Sequence, residues 1–133
     1  MYNAISNYMS KLKILIVEDD EALREILETK FNHAGFNVVT ATDGLAGLMM
    51  ALNELPKMII SDVMMPNMDG LTMLEKLRSE DKGKDIPVIM LTNSSEVDTV
   101  SRALKNHADD YYVKTKLDLD DLIVKVKEKL RIN

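Results

Sequence analysis

The sequence predicts an α/β fold, a doubly wound five-stranded parallel sheet between two layers of helices. Three observations predict it. Five short apolar runs alternate with five helical patterns along the 133 residues, and strand–helix alternation of this kind builds a parallel sheet covered on both faces. The runs are apolar at successive positions rather than every second one, as strands buried on both sides require. Polar side chains gather at the ends of particular runs, where open α/β sheets bind their ligands.

The expected strands are residues 14–17, 37–42, 58–61, 88–91 and 111–113. The first helix follows Asp20, with Leu23, Ile26, Leu27, Phe31 and Ala34 on one face at amphipathic spacing and Gly35 as its stop. The second starts at Asp43-Gly44 and carries Leu45, Leu48, Met49 and Leu52. The third runs from Gly70 to Ser79 with Leu71, Leu74 and Leu77 inward. The fourth spans residues 95–106 with Val97, Val100, Ala103 and Leu104. The last runs from Leu119 to Arg131 and buries Leu119, Leu122, Ile123, Val126 and Leu130. Met49, Met58, Met73 and Met90 fall at core spacing and read as gap-fillers. Residues 1–10 read as a flexible N-terminal tail and residues 11–133 as one domain, with no linker, repeat or low-complexity segment inside it.

Composition narrows the function classes. Hydrophobic residues make up 46% and charged residues 29%, enough for a real core. A net charge of -5 speaks against direct nucleic-acid binding, which needs a basic surface. The absence of cysteine excludes disulfides, thiolate metal sites and cysteine catalysis. No apolar run is long enough to span a bilayer, and the first ten residues lack the apolar centre of a signal peptide, so the expected location is cytoplasmic.

The chemistry sits at the strand ends. Strand one empties into Glu18, Asp19 and Asp20, strand three into Asp62, strand four into Thr92 and strand five into Lys114. In the flavodoxin-like order 2-1-3-4-5, these four strands are contiguous, and their ends surround one crevice. Strand two, at the edge, contributes nothing similar. Carboxylates repel one another and resist burial, so acids delivered together imply a shared hard cation. Mg²⁺ suits one or two carboxylates plus water or phosphate oxygens. Asp19 and Asp62 suit direct ligation, with Glu18 acting through water. An Asp carboxylate can accept a phosphoryl group, Lys114 would pair with a phosphate oxygen, and Thr92 would hydrogen-bond to it. Each residue also has a plainer reading. Asp19 and Asp20 suit a helix cap, Asp69-Gly70 a turn and cap, and Tyr111 edge-strand packing. His33 and His107 have no metal-like partners in the sequence.

These residues, in this order, resemble the receiver domain of bacterial two-component response regulators, in its chemotaxis-receiver-like, single-domain form. The resemblance covers residues 11–130. It rests on Glu18-Asp19, on Ser61-Asp62-Val63-Met64-Met65-Pro66-Asn67-Met68-Asp69-Gly70, on Pro87-Val88-Ile89-Met90-Leu91-Thr92 and on Tyr111-Tyr112-Val113-Lys114. It implies that Asp62 is the phospho-acceptor and that Glu18, Asp19, Asp62 and the Met64 backbone carbonyl serve Mg²⁺. Thr92 and Tyr111 become a switch pair, and phosphorylation becomes a shift between two populations. The implied donor is a sensor histidine kinase or histidine phosphotransfer protein. The implied output is a protein partner on the face of strand five and its flanking helices. Ala108-Asp109-Asp110-Tyr111 looks like the segment through which some receivers form homodimers, with Lys125 and Lys127 opposite Asp109 and Asp110.

Two positions depart from the family pattern. Asn93 stands where a small residue usually follows the switch Thr, beside Ser94 at a position that tunes dephosphorylation. Thr115 stands where a Pro usually follows the Lys, so the sequence predicts a trans Lys114–Thr115 bond and a rearranged loop at Thr115-Lys116, because a cis bond to a non-proline residue costs about 2.5–4 kcal/mol. These departures keep open a pseudo-receiver that is never phosphorylated. A Mg²⁺-dependent haloacid-dehalogenase-like phosphatase is a further alternative, since Glu18 and Asp20 have the spacing of its two acids, but the chain lacks a cap or a long substrate loop. A flavin carrier fits poorly, because its first loop would be acidic where a cofactor phosphate needs backbone N–H groups.

Overall fold

The computed structural model describes residues 12–93 and 97–131, and of residues 97–100 only the backbone. The expected N-terminal tail, Ser94, the start of the fourth helix and the side chains of Val97 and Val100 lie outside the described residues. The elements follow in the order β1 (Lys13–Val17), α1 (Glu21–His33), β2 (Asn37–Ala41), α2 (Gly44–Glu54), β3 (Met58–Asp62), α3 (Gly70–Arg78), β4 (Val88–Thr92), α4 (Val97–Lys105), β5 (Asp110–Val113), a 3₁₀ turn (Lys114–Lys116) and α5 (Leu119–Lys129). The five strands form one parallel sheet in the order β2-β1-β3-β4-β5. This is the flavodoxin-like, three-layer αβα architecture.

Alternation along each strand divides the core in two. Leu15, Val17, Ile59, Val88 and Met90 point to one face and pack with Ala51, Leu71, Met73, Leu74, Leu77 and Ala103 from α2, α3 and α4. Ile14, Ile16, Met58, Ile60, Ile89 and Leu91 point to the other and pack with Leu27 and Phe31 of α1 and Leu122 and Val126 of α5. Aspartates start four of the helices: Asp20, Asp43, Asp69 and Asp118 each accept hydrogen bonds from N–H groups of the first turn. Gly35 ends α1 at φ 102, in the left-handed region that favours glycine.

Several expected inward residues face outward. In α2 the buried positions are Gly44, Gly47 and Ala51, while Leu45 and Met49 are 48% and 58% exposed. The helix lies so close to β1 that a Cβ on Gly47 would stand 2.9 Å from both methyl groups of Val17. Small residues therefore take the inward face, and a reading that weighs large apolar residues selects the wrong stripe. Ile26 and Leu104 are likewise exposed. Leu23, Leu27, Phe31 and Ala34 already complete the α1 stripe, and Ile26 lies to its side.

Far from the acidic strand ends, Arg78 closes the base of the sheet. Its guanidinium donates to the carbonyls of Gly83 and Ile86, at 3.1 and 2.8 Å, and of His107, at 3.0 Å, and it faces Asp109 at 3.6 Å. It thereby joins the segments that lead into β4 and β5.

Candidate functional site

Strand register builds the site one residue at a time. Val17 pairs with Ser61, which sets Glu18 beside Asp62; Asp62 pairs with Leu91, which precedes Thr92; Thr92 pairs with Val113, which precedes Lys114. Glu18, Asp62 and Thr92 are all buried, Lys114 is half-buried and Asp19 is exposed. One carboxylate oxygen from each of Glu18, Asp19 and Asp62 lies within 4.8 Å of the others.

Lys114 ties the buried acids together. Its Nζ stands 2.8 Å from Glu18 Oε1 and 2.9 Å from Asp62 Oδ2. Asp62 Oδ1 accepts the Val63 N–H at 2.8 Å, and Glu18 Oε2 accepts the Asp20 N–H at 3.2 Å. Glu18 Oε1 accepts no aligned hydrogen bond; it faces Lys114 as an ion pair. Burial pushes the Glu18 carboxyl up to about 7, with the Asp62 charge adding to the rise and Lys114 opposing it. For Lys114, burial works against the ammonium, but its bonds to Glu18 and Asp62 outweigh that and hold it above the usual lysine range. Three hard oxygen donors and more acidic groups than the single ammonium can neutralise fit Mg²⁺.

The other expected site residues fall around this centre. Thr92 closes the end of β4. Tyr111 is half-buried and packs against the core cluster that contains Met90 and Ala103. Met64, two residues past Asp62, is 70% exposed in the loop that follows β3. Asn93 is exposed. Among the described residues no peptide bond is cis, so Lys114–Thr115 is trans, and a 3₁₀ turn follows at Lys114–Lys116. Asp20 caps α1 through the Leu23 N–H at 3.1 Å, and Asp69 caps α3 through Thr72 at 2.8 Å. Asp109 and Asp110 are engaged within the chain, Asp109 by the Val88 N–H and Arg78, Asp110 by the Tyr112 hydroxyl and Lys129. Lys125 faces Glu128.

Sequence reasoning missed two contributions. Arg24 donates to the Glu18 carbonyl at 2.9 Å, bracing the acidic loop from α1. The end of β2, from which nothing was expected, supplies Asp43. Its Oδ1 accepts the Ala46 N–H at 2.8 Å and its Oδ2 accepts the Asn67 side-chain amide at 2.7 Å, so it joins α2 to the loop after Asp62. Those two bonds, the Ala46 one foremost, hold its carboxyl below the usual range. Asp43-Gly44 reads in sequence as a helix start, and no local signal points it at Asn67.

The loop is also pinned by close backbone approaches. Gly70 N–H donates to the Val63 carbonyl at 2.7 Å, and a Cβ on Gly70 would stand 2.0 Å from the Asp62 carbonyl oxygen. Among the described residues, no helix is long and apolar enough to cross a membrane.

Known proteins share the sequence pattern and the fold. The model of the response regulator receiver domain family matches residues 14–127. The probable transcriptional regulator ycf27 of Porphyridium aerugineum is 41% identical over 106 residues, 80% of this chain and 43% of the relative. The DNA-binding dual master transcriptional regulator RpaA of Synechocystis is 34% identical over 119 residues, 90% of this chain and 49% of the relative. The chain thus spans less than half the length of these curated relatives. Among solved structures, a CheY-like receiver domain from Methanospirillum hungatei superposes with a TM-score of 0.84 at 30% identity, covering 90% of this chain and 94% of the other. The CheX–CheY–BeF3–Mg complex from Borrelia burgdorferi superposes at 0.81 and 29%, covering 90% and 89%. The strand order, the converging strand ends and these matches agree that the chain belongs to the response regulator receiver domains of two-component systems.

Proposed function

We propose that this chain is a phospho-accepting switch that takes a phosphoryl group from a phosphohistidine onto Asp62. The donor is a sensor histidine kinase or a histidine phosphotransfer protein. The observation that carries the reading is Lys114 set between two buried carboxylates, Glu18 at 2.8 Å and Asp62 at 2.9 Å. A structural ion pair needs one acid; the second acid, with exposed Asp19 beside it, makes a site with charge to spare for a cation. Glu18, Asp19, Asp62 and the Met64 carbonyl are the proposed holders of Mg²⁺, which would neutralise charge on the incoming phosphoryl oxygens.

The chain's own residues do the rest. A carboxylate oxygen of Asp62 forms the bond to phosphorus as the P–N bond breaks, and the electron pair of that bond leaves on the imidazole nitrogen. Val63 N–H holds the other carboxylate oxygen and so orients the nucleophile. Lys114 transfers its ion pair from the carboxylate to a phosphoryl oxygen, and the Thr92 hydroxyl donates to another. Thr92 then draws toward the phosphoryl group and Tyr111 moves inward behind it, which changes the face of β5 and its flanking helices that a protein partner reads. A homodimer through that face is one such output. The printed names of the relatives, transcriptional regulators, favour an output in transcriptional control, while a net charge of -5 weighs against direct DNA contact by this chain. A kinase donor of this kind would go with a cytoplasmic location.

Asp20 weighs against a phosphatase of the haloacid-dehalogenase kind, because its carboxylate is used to cap α1 rather than turned to a leaving group. The test is the intact mass of wild type and Asp62→Asn after incubation with Mg²⁺ and acetyl phosphate. A single phosphoryl adduct on wild type alone is the expected result. No adduct, under conditions that label a known receiver, would leave a pseudo-receiver as the reading.

A further inference from the structure

The edge strand has its own link to the site, and it runs through the loop after Asp62. Asp43 divides its carboxylate between two tasks: Oδ1 takes the Ala46 N–H and caps α2, while Oδ2 takes the Asn67 amide at 2.7 Å. Beside it, Gly44 N–H donates to the Met68 carbonyl at 3.0 Å, and a Cβ on Gly44 would stand 2.1 Å from that oxygen. The first turn of α2 and the loop backbone are therefore in direct contact. At the base of the loop, Gly70 N–H closes onto the Val63 carbonyl. Asn67 itself sits at φ 66, a left-handed conformation that glycine would adopt without strain. Asparagine keeps there what glycine lacks, an amide that reaches Asp43.

We propose that Asp43 is a positioning residue for the metal loop: by holding Asn67 it fixes residues 63–69 and aims the Met64 carbonyl at the cation. This rests on the phospho-acceptor reading above. Mg²⁺ tolerates little departure from octahedral geometry, with oxygens at about 2.0–2.1 Å, so a carbonyl on an exposed loop serves it only where the loop is held. Groups that orient a ligand from outside the coordination sphere typically change metal affinity by about 10–100-fold. The competing reading is that Asp43 only caps α2. The two differ in what Asn67 does.

The test is calorimetric titration of Mg²⁺ into the whole chain. Asp43→Ser keeps a capping oxygen and loses the reach to Asn67. Asn67→Gly keeps the cap and the Asp43 charge, relieves the backbone strain and removes the amide. Asn67→Asp adds a negative charge near the cation while setting two carboxylates against each other. Expected is binding about 10-fold weaker in all three, at the lower end for groups of this kind. In Asn67→Asp this loss runs against the added charge, which by itself strengthens cation binding. The reciprocal pair, Asp43→Asn with Asn67→Asp, restores donor and acceptor in reversed order and is expected to recover wild-type affinity to within about twofold, the mark of direct coupling. Asn67→Gly binding like wild type, Asn67→Asp binding more tightly, or no recovery in the reciprocal pair would each overturn the proposal. Wild type that binds no Mg²⁺ would overturn the phospho-acceptor reading and this one together, whereas failure of the clamp alone leaves wild-type binding and labelling intact. Thermal melts on the same samples establish that each variant is folded.

Discussion

Lys114 Nζ stands 2.9 Å from Asp62 and 2.8 Å from Glu18, so one ammonium faces two buried carboxyl groups, with Asp19 beside them. The remaining negative charge is what a divalent ion would relieve. Ligands that bind only the folded state stabilise it, by about 2.7 kcal/mol at 100 times Kd. Mg²⁺ is therefore expected to raise the thermal midpoint of wild type in proportion to the logarithm of its concentration. Asp62→Asn removes one donor and is expected to flatten that response. Scanning calorimetry across a Mg²⁺ series measures both, and equal responses from the two proteins would remove Asp62 from the metal site.

Gly70 is expected to tolerate no side chain. A Cβ there would stand 2.0 Å from the Asp62 carbonyl oxygen and 2.9 Å from the Met90 methyl. The nearest atom is backbone and cannot rotate away. Gly70→Ala should lose about 1–3 kcal/mol, as overpacking typically does, and should also slow phosphoryl labelling, because the shift falls on the acceptor's own carbonyl. Urea denaturation and labelling rates check the two effects.

Phe31 is 1% exposed and packs against Phe36 with ring centroids 5.8 Å apart. Phe31→Ala is expected to cost about 3–5 kcal/mol, the usual range for a buried aromatic. Phe31 lies in the last turn of α1, at the opposite end of the helix from the acidic loop that precedes it, so labelling of the folded fraction should stay at the wild-type rate. A large loss of labelling with no loss of stability would contradict the separation of core and site.

Asp110 gives a dependence on pH. Burial pushes its carboxyl up, but the Tyr112 hydroxyl, the Tyr111 N–H and Lys129 outweigh it and hold it below the usual aspartate range. A carboxyl lowered by folding stabilises the protein above its unfolded value, about 3.9 for aspartate, and that contribution fades as pH falls through the folded value. Wild type should therefore exceed Asp110→Asn in stability at pH 7, and the gap should narrow below about pH 4. Denaturant midpoints at the two pH values settle it, and a gap that widens in acid would refute the assignment.

The strands and most of the site were legible because they depend on local order. An apolar run that ends in an acid marks both a buried strand and what it delivers, so Glu18, Asp62, Thr92 and Lys114 could be placed once strand order was inferred. The face of α2 was not legible, because Gly44, Gly47 and Ala51 act by being small, and a pattern of large residues picks out Leu45 and Met49 instead. The Asp43–Asn67 bond was hidden for another reason. It joins residues 24 positions apart, each with a complete local explanation as a cap or a turn. Arg24 reads as one more polar residue beside the apolar stripe of α1 until its guanidinium is seen at the Glu18 carbonyl.

Arg78 gathers the approaches to β4 and β5 at the end of the sheet opposite the acids. The two strands are thus riveted at one end, and Thr92 and Lys114 ride at the other. In a fan, the ribs share a pivot and the rim does the travelling. A disturbance at the rim, where the phosphoryl group would sit, can displace the strand tips and the loops beyond them while the handle stays still. Under the proposed switch, Arg78 would be the fixed point of β4 and β5, and any displacement would be larger at the Thr92 and Lys114 ends.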